Sequence, residues 1–476
     1  MVFSSTLFLF LFLPLTLLGY FIGPRAWRNI WLLLTSLVFY AWGEPQLTWV
    51  MLASMSANYL FGLWLGHLTG KNAAKYVLIF AIALNLSALA LFKYAHFAAG
   101  ALSQLSVPLG LPKLEMPAIA MPLGISFYTF HALSYLIDVY RKDAQVQRNP
   151  FDVALYLTLF PQLIAGPILR YHDVADQLAK RSVTSDDFGI GVQRFIVGLG
   201  KKVLIANTLA GPCDRLFALP AAQLGPGGAW LAVICYTGQI YFDFSGYSDM
   251  AIGLGRMFGF EFKENFQWPY ISKDIREFWR RWHISLSTWF RDYLYIPLGG
   301  NRRGEWRNAL NLLIVFVLCG FWHGASWTFL FWGLYHGAFL ALERTRFGAW
   351  LGGSPRILRH LYTMFVVMVG WIFFRAETFT QAAELLRAMS GLGADDTAWP
   401  VAMFADSRVF LGLAVAVVAA TPMLPRLSAW WQHAPRSDRA TILGASGALF
   451  AQMAVLVLCA VMLAASTHNP FIYFRF

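Results

Sequence analysis

Two histidines lie in unusually apolar surroundings and carry the chemistry that this sequence indicates. His283 stands among tryptophans and arginines in FWRRWHISLSTWFRDYLYIPLGGNRR, and His323 ends the apolar run in CGFWHGASW. An ionisable side chain in a hydrocarbon-rich segment is costly, so a functional role is its default interpretation. Burial keeps an imidazole neutral near pH 7, and a neutral imidazole can take the proton from a hydroxyl that attacks a carbonyl carbon. Both histidines are therefore candidate catalytic residues.

A structural role is the competing interpretation for each histidine, because histidine ring nitrogens readily bond to backbone carbonyls. We favour function for His323, which a tryptophan and a glycine flank inside the apolar run. Both interpretations stay open for His283, whose segment is polar enough to solvate the ring. His336 is interpreted as structural, while His131 and His172 stay open. Five further histidines near loop ends are assigned structural roles: His67, His96, His360, His433 and His468.

Metal and serine-hydrolase chemistry are not indicated by the motifs of this chain. An HExxH motif and tight His/Cys clusters are missing, which disfavours a zinc site. A GxSxG nucleophile elbow is also missing. The four cysteines lie far apart in the sequence and are predicted to pack in the core: Cys213, Cys235, Cys319 and Cys459. No metal ligands are therefore assigned.

The segment 261–303 is basic and aromatic at once. It carries too many charges to span a bilayer and too many aromatic rings to stay in solution, so amphipathic or re-entrant helices are predicted. Its arginines suit a phosphate-bearing donor such as a coenzyme A thioester, and lipid phosphate is the alternative ligand. The residues assigned to donor or substrate binding are Arg276, Arg280, Arg281, Trp282, Trp322, Asp243, Ser245 and Asp249.

Two of these residues are aspartates that lie at predicted membrane depth in the stretch YFDFSGYSD. Buried carboxylates require partners, and we expect Asp243 and Asp249 to find them among Arg276, Arg280 and Arg281 of the following segment. Helix capping and purely structural ion pairs are the alternatives.

Composition identifies the chain as an integral membrane protein. Of its 476 residues 58% are hydrophobic and 13% are charged, and the mean hydropathy is +0.53. The net charge of +12 comes from basic residues scattered through short loops, which fits membrane topology and anionic lipid rather than nucleic acid. The apolar N-terminus lacks a basic region and a cleavage site, so it is interpreted as a retained first helix.

Segments near the 20 residues needed to cross a bilayer recur along the whole chain. They predict ten to thirteen helical membrane elements in one domain, 1–476, in which 309–343 holds the helices of the second histidine. The candidate segments are 5–23, 28–44, 47–66, 76–95, 117–139, 152–169, 190–210, 228–243, 309–322, 326–343, 357–375, 407–424 and 440–465. Positive charges in the odd-numbered early loops place those loops in the cytoplasm and the N-terminus outside.

Several long motifs, in order, make the chain resemble the membrane-bound O-acyltransferase (MBOAT) family. They begin with MVFSSTLFLFLFLPLTLLGY and LVFYAWGEP and continue through FPQLIAGPILR, GLGKKVLIANTL and YFDFSGYSDMAIGLG. PYISKDIREFWRRWHISLSTWFRDYLYIPLGGNR, GFWHGASWTFLFWGLYHG and the terminal HNPFIYFRF complete the series. The resemblance covers nearly the whole chain.

The resemblance implies a fold and an activity. We expect an all-α multi-pass fold. About 11 tilted transmembrane helices would form a ring around a central channel, together with re-entrant or amphipathic helices. The expected location is the bacterial inner membrane. His323 falls on the essential histidine of the family, and His283 on a second family position. The implied donor is acetyl-CoA or another cytosolic acetyl source, with no bound cofactor. Acetyl groups would pass to a periplasmic acetyltransferase partner that decorates an exopolysaccharide, with alginate favoured.

Other functions stay open at the level of the sequence. Cellulose or peptidoglycan acetylation and D-alanine transfer to teichoic acid would use the same chemistry on other substrates. A transporter or flippase of a lipid-linked intermediate would instead use intramembrane His and Asp residues as a proton relay. Such a transporter predicts internal repeats, and none stands out in this chain.

Overall fold

A computed structural model describes residues 1–465 apart from 111, 115, 118, 303, 398 and 434–437. All regular elements in this part of the chain are helical, which confirms the all-α class. Arg303, which ends the predicted amphipathic segment, lies outside the described residues. So do His468 with the terminal motif HNPFIYFRF, and the side chain of His433.

Most of the helices follow one another with short connections. The first nine are α1 (Leu13–Ile22), α2 (Arg28–Gly43), α3 (Thr48–His67), α4 (Ala73–Leu89), α5 (Ala95–Ser106), α6 (Ile125–Arg141), α7 (Pro150–Thr158), α8 (Phe160–Leu163) and α9 (Tyr171–Ala179). The next seven are α10 (Ser185–Gly200), α11 (Asn207–Ala218), α12 (Pro226–Met257), α13 (Ile275–Arg281), α14 (Ile284–Phe290), α15 (Glu305–His323) and α16 (Trp327–Leu342). The last six are α17 (Arg346–Gly353), α18 (Arg356–Arg375), α19 (Phe379–Met389), α20 (Ser407–Ala419), α21 (Met423–His433) and α22 (Asp438–Ala465).

Three helical stretches among the described residues are long and apolar enough to cross a membrane: Ala73–Leu109, Arg356–Arg375 and Thr441–Ala465. α20 and the segment Met423–Trp431 form a fourth candidate, in which two helices meet with a bend of 60°. These stretches agree with the prediction of a membrane protein. The total of ten to thirteen membrane elements stays a prediction.

Two predicted segments differ from the helices that form. The segment 152–169 is not one helix, because α7 ends at Thr158 and residues 164–170 are not helical. Pro161 can start the short α8 but cannot continue α7, since it lacks an amide N–H. The segment 228–243 is instead part of a much longer helix, the 32-residue α12. Asp249 is therefore helical as well.

The chain divides into two compact units, 1–192 with 251–263 and 193–250 with 264–476. The first unit has an aromatic core in which Phe12, Phe39 and Phe160 lie within 5.6 Å of one another, ring centroid to centroid. Asn58 and Asn85 of the same unit exchange side-chain hydrogen bonds of 3.1 and 2.8 Å. The second unit contains both candidate catalytic histidines.

A close helical hairpin positions His323 in the second unit. α15 ends at this histidine, and only residues 324–326 separate it from α16, so the two helices run antiparallel. Ser326 caps α16 by accepting a hydrogen bond from the Phe329 amide. A Cβ atom on Gly320 or Gly333 would lie closer than 3.0 Å to a backbone oxygen of the opposite helix. Glycine at both positions therefore allows the backbones to touch.

This close approach predicts that Gly333→Ala destabilises the protein. The added methyl group has to push α15 and α16 apart, and overpacking of this kind typically costs about 1–3 kcal/mol. The melting temperature of the purified protein in detergent measures the effect, and a clear decrease is expected.

Gly100→Ala is the matched control, because Gly100 also lies in a helix but a Cβ atom there meets nothing within 4 Å. Alanine favours the helical state, so an unchanged or higher melting temperature is expected for this variant. Equal melting temperatures for the two variants would contradict the proposed hairpin contact.

Candidate active site

His323 lies in an aromatic pocket at the C-terminal end of α15. Its ring centroid lies 4.8 Å from that of Trp322, 5.3 Å from that of Trp332 and 5.2 Å from that of Phe374. All three rings meet the imidazole edge-on, and only 5% of the residue is exposed. The aromatic rings exclude water and fix the direction of the imidazole.

His283 is also buried, and its hydrogen bond identifies the protonated ring nitrogen. The oxygen Oδ1 of Asn265 accepts hydrogen bonds from the backbone N–H and the hydroxyl of Ser285, at 3.1 and 2.9 Å. Since an amide N–H can only donate, the atom that faces it must be the Asn265 oxygen. His283 Nδ1 lies 3.1 Å from the same oxygen and must therefore carry a proton.

The other nitrogen of His283 is consequently available as a base. Nε2 is buried and has no hydrogen-bond partner among the described residues. Burial lowers the pKa of His283 to about 3 because the charged imidazolium would lose its hydration. The ring is therefore neutral near pH 7, with its lone pair on Nε2.

The backbone at His283 has an unusual conformation. Its φ is +47°, in the left-handed region that non-glycine residues adopt rarely and that clusters at functional sites. Two backbone hydrogen bonds hold the strained turn: Ile284 N–H donates to Asn265 O, and Gln267 N–H to Arg281 O, both at 3.0 Å. The segment before α13 therefore clamps the start of α14 on both sides of the histidine.

The fold brings the two predicted catalytic histidines together. Their ring centroids are 6.5 Å apart and their planes are inclined by 58°. Trp322 lies beside both rings, 6.4 Å from His283. At this separation both imidazoles can reach one small reacting group placed between them.

His336 lies in the second layer around this pair. Its ring packs edge-on against Trp279 and Trp332, at 5.1 and 5.2 Å, and Trp332 in turn packs against His323. It is fully buried, and neither ring nitrogen has a hydrogen-bond partner among the described residues. This packing fits the structural role expected from the sequence.

The two histidines left open lie in the first unit. His131 is fully buried and packs against Tyr156 at 5.6 Å. His172 Nδ1 lies 2.9 Å from a carboxylate oxygen of the buried Asp138, and this hydrogen bond raises the pKa of His172. Asp138 thereby fixes the orientation of the half-buried imidazole of His172. The raised pKa means that this imidazole binds a proton at higher pH than an ordinary histidine does.

The three predicted donor-binding arginines line one cavity of about 560 Å³ in the second unit. Four arginines face three carboxylates there: Arg276, Arg280, Arg281 and Arg359 with Asp274, Glu277 and Glu343. The cavity therefore has a small excess of positive charge. Its size lies in the range of small-molecule binding sites.

Two of these arginines keep their charge available to a ligand. Arg281 is neutralised by Glu277, with 2.8 Å between Nη2 and Oε1. Arg276 and Arg280 make no ion pair among the described residues, and their spacing of four places both on one face of α13. Guanidinium groups in this arrangement suit phosphate oxygens.

Trp282 belongs to the aromatic side of α13 rather than to its charged side. Its ring centroid lies 4.9 Å from that of Trp371 and 5.6 Å from that of Phe278. Trp371 packs against Phe374, which contacts His323. This short helix therefore presents arginines to the cavity and rings to the histidine pocket.

The expected partners of the two aspartates were wrong. Asp243 pairs with Lys202, with 2.6 Å between oxygen and nitrogen and both side chains almost fully buried. Asp249 pairs with Arg194 and with Lys201, at 2.6 Å in each case. The cations come from the chain before α12 instead of the arginines that follow it.

A close crossing of two helical segments explains this pairing. A Cβ atom on Gly198 would lie closer than 3.0 Å to the backbone at Gly246, and the reverse also holds. Just after this crossing, Lys201–Ala206 forms a π-helical segment that supplies both lysines.

Ser245, next to the crossing, is buried and its hydroxyl has no hydrogen-bond partner among the described residues. The ion pairs give Asp243 and Asp249 a structural role, and substrate binding by these aspartates and Ser245 stays a prediction.

Sequence reasoning missed the residues that orient the histidines. Asn265 stands alone between charged and aromatic residues, and Trp332 and Phe374 lie in ordinary apolar runs. No motif marks these positions, since their roles arise from contacts across distant parts of the chain.

Comparison with known proteins identifies the family of the chain. The sequence model of the membrane-bound O-acyltransferase family, MBOAT, matches residues 9–349, which include both candidate histidines and the arginine cavity up to Gly348. A match over most of the chain, joined to an all-helical fold with a buried histidine pair, defines the class. The chain belongs to the membrane-bound O-acyltransferase family and is an acyltransferase.

Particular relatives match most or all of the chain. It is 42% identical to the alginate O-acetylase AlgI of Azotobacter vinelandii, with 100% of both chains covered. It is 47% identical to the alginate O-acetylase AlgI of Pseudomonas aeruginosa over 83% of this chain and 75% of the relative. The peptidoglycan O-acetyltransferase of Helicobacter pylori is 37% identical over 82% of this chain and 80% of the relative.

The contact between Asn265 and His283 predicts opposite results for two substitutions. Asn265→Leu removes the acceptor that fixes the ring, so acetyl transfer is expected to fall about 10–100-fold, by analogy with the orienting partners of metal-binding histidines. Asn265→Asp keeps the acceptor and adds a negative charge, which raises the pKa of His283. Its activity near pH 8 is expected to stay close to that of the wild type, while the acidic limb of its pH profile moves to higher pH.

Acetyl transfer by isolated membranes between pH 5 and pH 8.5 provides this comparison. Asn72→Leu, at an exposed asparagine in the other unit, controls for loss of an amide and is expected to change neither rate nor profile. An unshifted acidic limb in an active Asn265→Asp enzyme would argue that the neutral imidazole of His283 takes no part in acetyl transfer.

Proposed function

We propose that this enzyme transfers acetyl groups from cytosolic acetyl-CoA toward a secreted polysaccharide, with alginate as the polymer. The observation that carries the proposal is the pair of buried imidazoles with ring centroids 6.5 Å apart in an aromatic pocket. Full-length identity of 42% to an alginate O-acetylase supports the choice of polymer.

The histidine pair accounts for the chemistry. A hydroxyl between the rings gives its proton to one imidazole as its oxygen attacks the thioester carbonyl carbon. The new C–O bond forms, the C–S bond breaks, and the proton passes from the imidazole to the departing thiolate. We assign the base to His323, and we assign His283 to orienting the reacting group through its Nε2.

The arginine cavity accounts for recognition of the donor. Coenzyme A carries its phosphates at the end opposite the thioester, so Arg276 and Arg280 would bind the phosphates while the acyl end extends along α13. Trp279 and Trp282, on the aromatic side of this helix, would line the way to the histidines. Acetyl-CoA acts here as a substrate.

The acceptor hydroxyl belongs, in this proposal, to a periplasmic acetyltransferase partner or to the polymer itself. The enzyme would span the bacterial inner membrane many times, as a ring of about 11 tilted helices around a channel that joins the two sides. Donor and acceptor could then meet at the histidines without either crossing the membrane.

Peptidoglycan acetylation is the second candidate, supported by 37% identity to a peptidoglycan O-acetyltransferase. It uses the same donor and the same histidines, so only the acetylated product distinguishes it. A deletion strain that loses ester-linked acetyl from the cell wall but not from the exopolysaccharide would favour this candidate.

His323→Ala is expected to reduce polymer acetylation at least about 10²-fold, because general-base assistance contributes about 10²–10⁴ to such rates. The measurement is ester-linked acetyl on exopolysaccharide from a deletion strain that carries the variant, with membrane insertion checked by immunoblot. His67→Ala, at an exposed histidine, is the matched control and should restore acetylation fully.

Retained acetylation with His323→Ala would exclude the catalytic assignment. A proton-dependent flux of an acylated intermediate, without acyl transfer, would support the transporter alternative instead.

Substitution of Arg276 and Arg280 by glutamine is expected to raise the KM for acetyl-CoA without a comparable loss of kcat. A hydrogen bond to a charged group contributes about 1.5–3 kcal/mol, so each substitution should raise KM about 10-fold or more. Initial rates with purified enzyme and varied acetyl-CoA measure this effect.

S-acetylpantetheine, which lacks the phosphates, supplies the control substrate, and its KM should be the same for wild type and both variants. Arg344→Gln, at an exposed arginine, should leave the KM for acetyl-CoA unchanged. If the arginine variants raised the KM for S-acetylpantetheine as much as the KM for acetyl-CoA, the phosphates of coenzyme A would not bind at Arg276 and Arg280.

A further inference from the structure

A second cavity of the second unit lies apart from the histidine pocket. It has a volume of about 630 Å³ and runs between α12, α18 and α20. Its walls are mostly apolar and include Ile234, Met364, Met368, Leu413 and Val417. Below, this cavity is called the α18 groove.

The α18 groove lies along helices that are candidate membrane spans. α18 is one of the three stretches long and apolar enough to span a bilayer, and α20 belongs to the bent fourth candidate. Val417 is 70% exposed and Ile357 is 61% exposed, so apolar side chains at its rim face the surroundings of the protein. Hydrocarbon is the medium that such a surface requires.

One end of the groove is basic. Arg356, the first residue of α18, lines it and makes no ion pair among the described residues. His360 lines it one turn further on. Its Nδ1 lies 3.1 Å from the carbonyl oxygen of Ser272, and a carbonyl only accepts, so Nδ1 carries a proton. Nε2 of His360 is left for another partner, and none of the described residues that line the groove is acidic.

An apolar channel with a cationic end fits one class of ligand. A soluble anion would gain nothing from the apolar walls, and a neutral lipid would offer no counter-charge to the exposed Arg356 at the end of the groove. We propose that the α18 groove binds an anionic glycerophospholipid, with an acyl chain between α18 and α20 and its phosphate at Arg356 and His360.

The wall of the groove leads to the catalytic pocket. Tyr270 lines the groove, donates a hydrogen bond to Thr237 O at 2.7 Å and accepts one from Trp371 Nε1 at 3.2 Å. Trp371 packs against Trp332 and Phe374, and both of these rings contact His323. A lipid in the groove therefore supports the aromatic residues that hold the catalytic imidazole, and acetyl transfer should increase when it is bound.

Native mass spectrometry of the purified full-length protein tests the site. Dioleoyl phosphatidylglycerol and dioleoyl phosphatidylcholine, which share acyl chains but differ in net charge, are titrated separately. The wild type is expected to bind the anionic lipid about five-fold tighter or more, because each basic group near anionic lipid contributes about 1 kcal/mol. The double variant Arg356→Gln/His360→Gln should bind both lipids equally.

Two further variants separate the groove from general surface charge. Arg346→Gln removes an exposed arginine outside the groove and should keep the preference for the anionic lipid. Met368→Trp fills the groove and should weaken binding of both lipids, with folding checked by melting temperature. If that variant does not fold, the comparison of Arg346→Gln with the double variant decides.

Equal affinity of the wild type for the two lipids overturns the proposal. An equal loss of preference in Arg346→Gln and the double variant also overturns it, because binding would then reflect surface charge. Acetyl transfer by a wild type that shows no lipid preference would overturn this proposal and leave the proposed acyltransferase chemistry intact, so the two proposals fail separately.

Discussion

The burial of two imidazoles among aromatic rings is the constraint on which the site depends. His283 has to be held without charge, since an imidazolium there would lose its hydration. One oxygen, Asn265 Oδ1, fixes which nitrogen of His283 carries the proton and leaves the lone pair on Nε2. For His323 three aromatic side chains fix the ring at the end of a helix.

The surrounding elements can be understood as supports for this pair. Glycines at the contact of α15 and α16 allow a hairpin close enough to place His323 beside the aromatic cluster. A strained backbone at His283 is stabilised by two flanking hydrogen bonds, which a flexible loop could not supply. α13 then links recognition to chemistry, because its arginines face a cavity and its tryptophans face the histidine side.

Much of this arrangement could be predicted from the sequence, and the failures have a common cause. Apolar runs indicated the helices and the membrane class. The unusual setting of the histidines selected two residues that lie side by side, and the three selected arginines line one cavity. The partners of Asp243 and Asp249 could not be predicted, since Lys202, Arg194 and Lys201 meet them only where two helices cross at glycines. Asn265 was missed for the same reason, because nothing in its neighbourhood along the chain distinguishes it from a surface asparagine.

The central claim is that one acyl donor reaches from the arginine cavity to the histidine pair. A cryo-EM structure of the full-length protein with a non-transferable thioether analogue of acetyl-CoA tests it most directly. The account predicts phosphate density beside Arg276 and Arg280, and the carbonyl carbon of the acetyl mimic close enough to the histidine pair for an attacking hydroxyl to fit between, with reacting atoms about 3–3.5 Å apart. An analogue bound with its acyl end away from His323 and His283 would contradict the account.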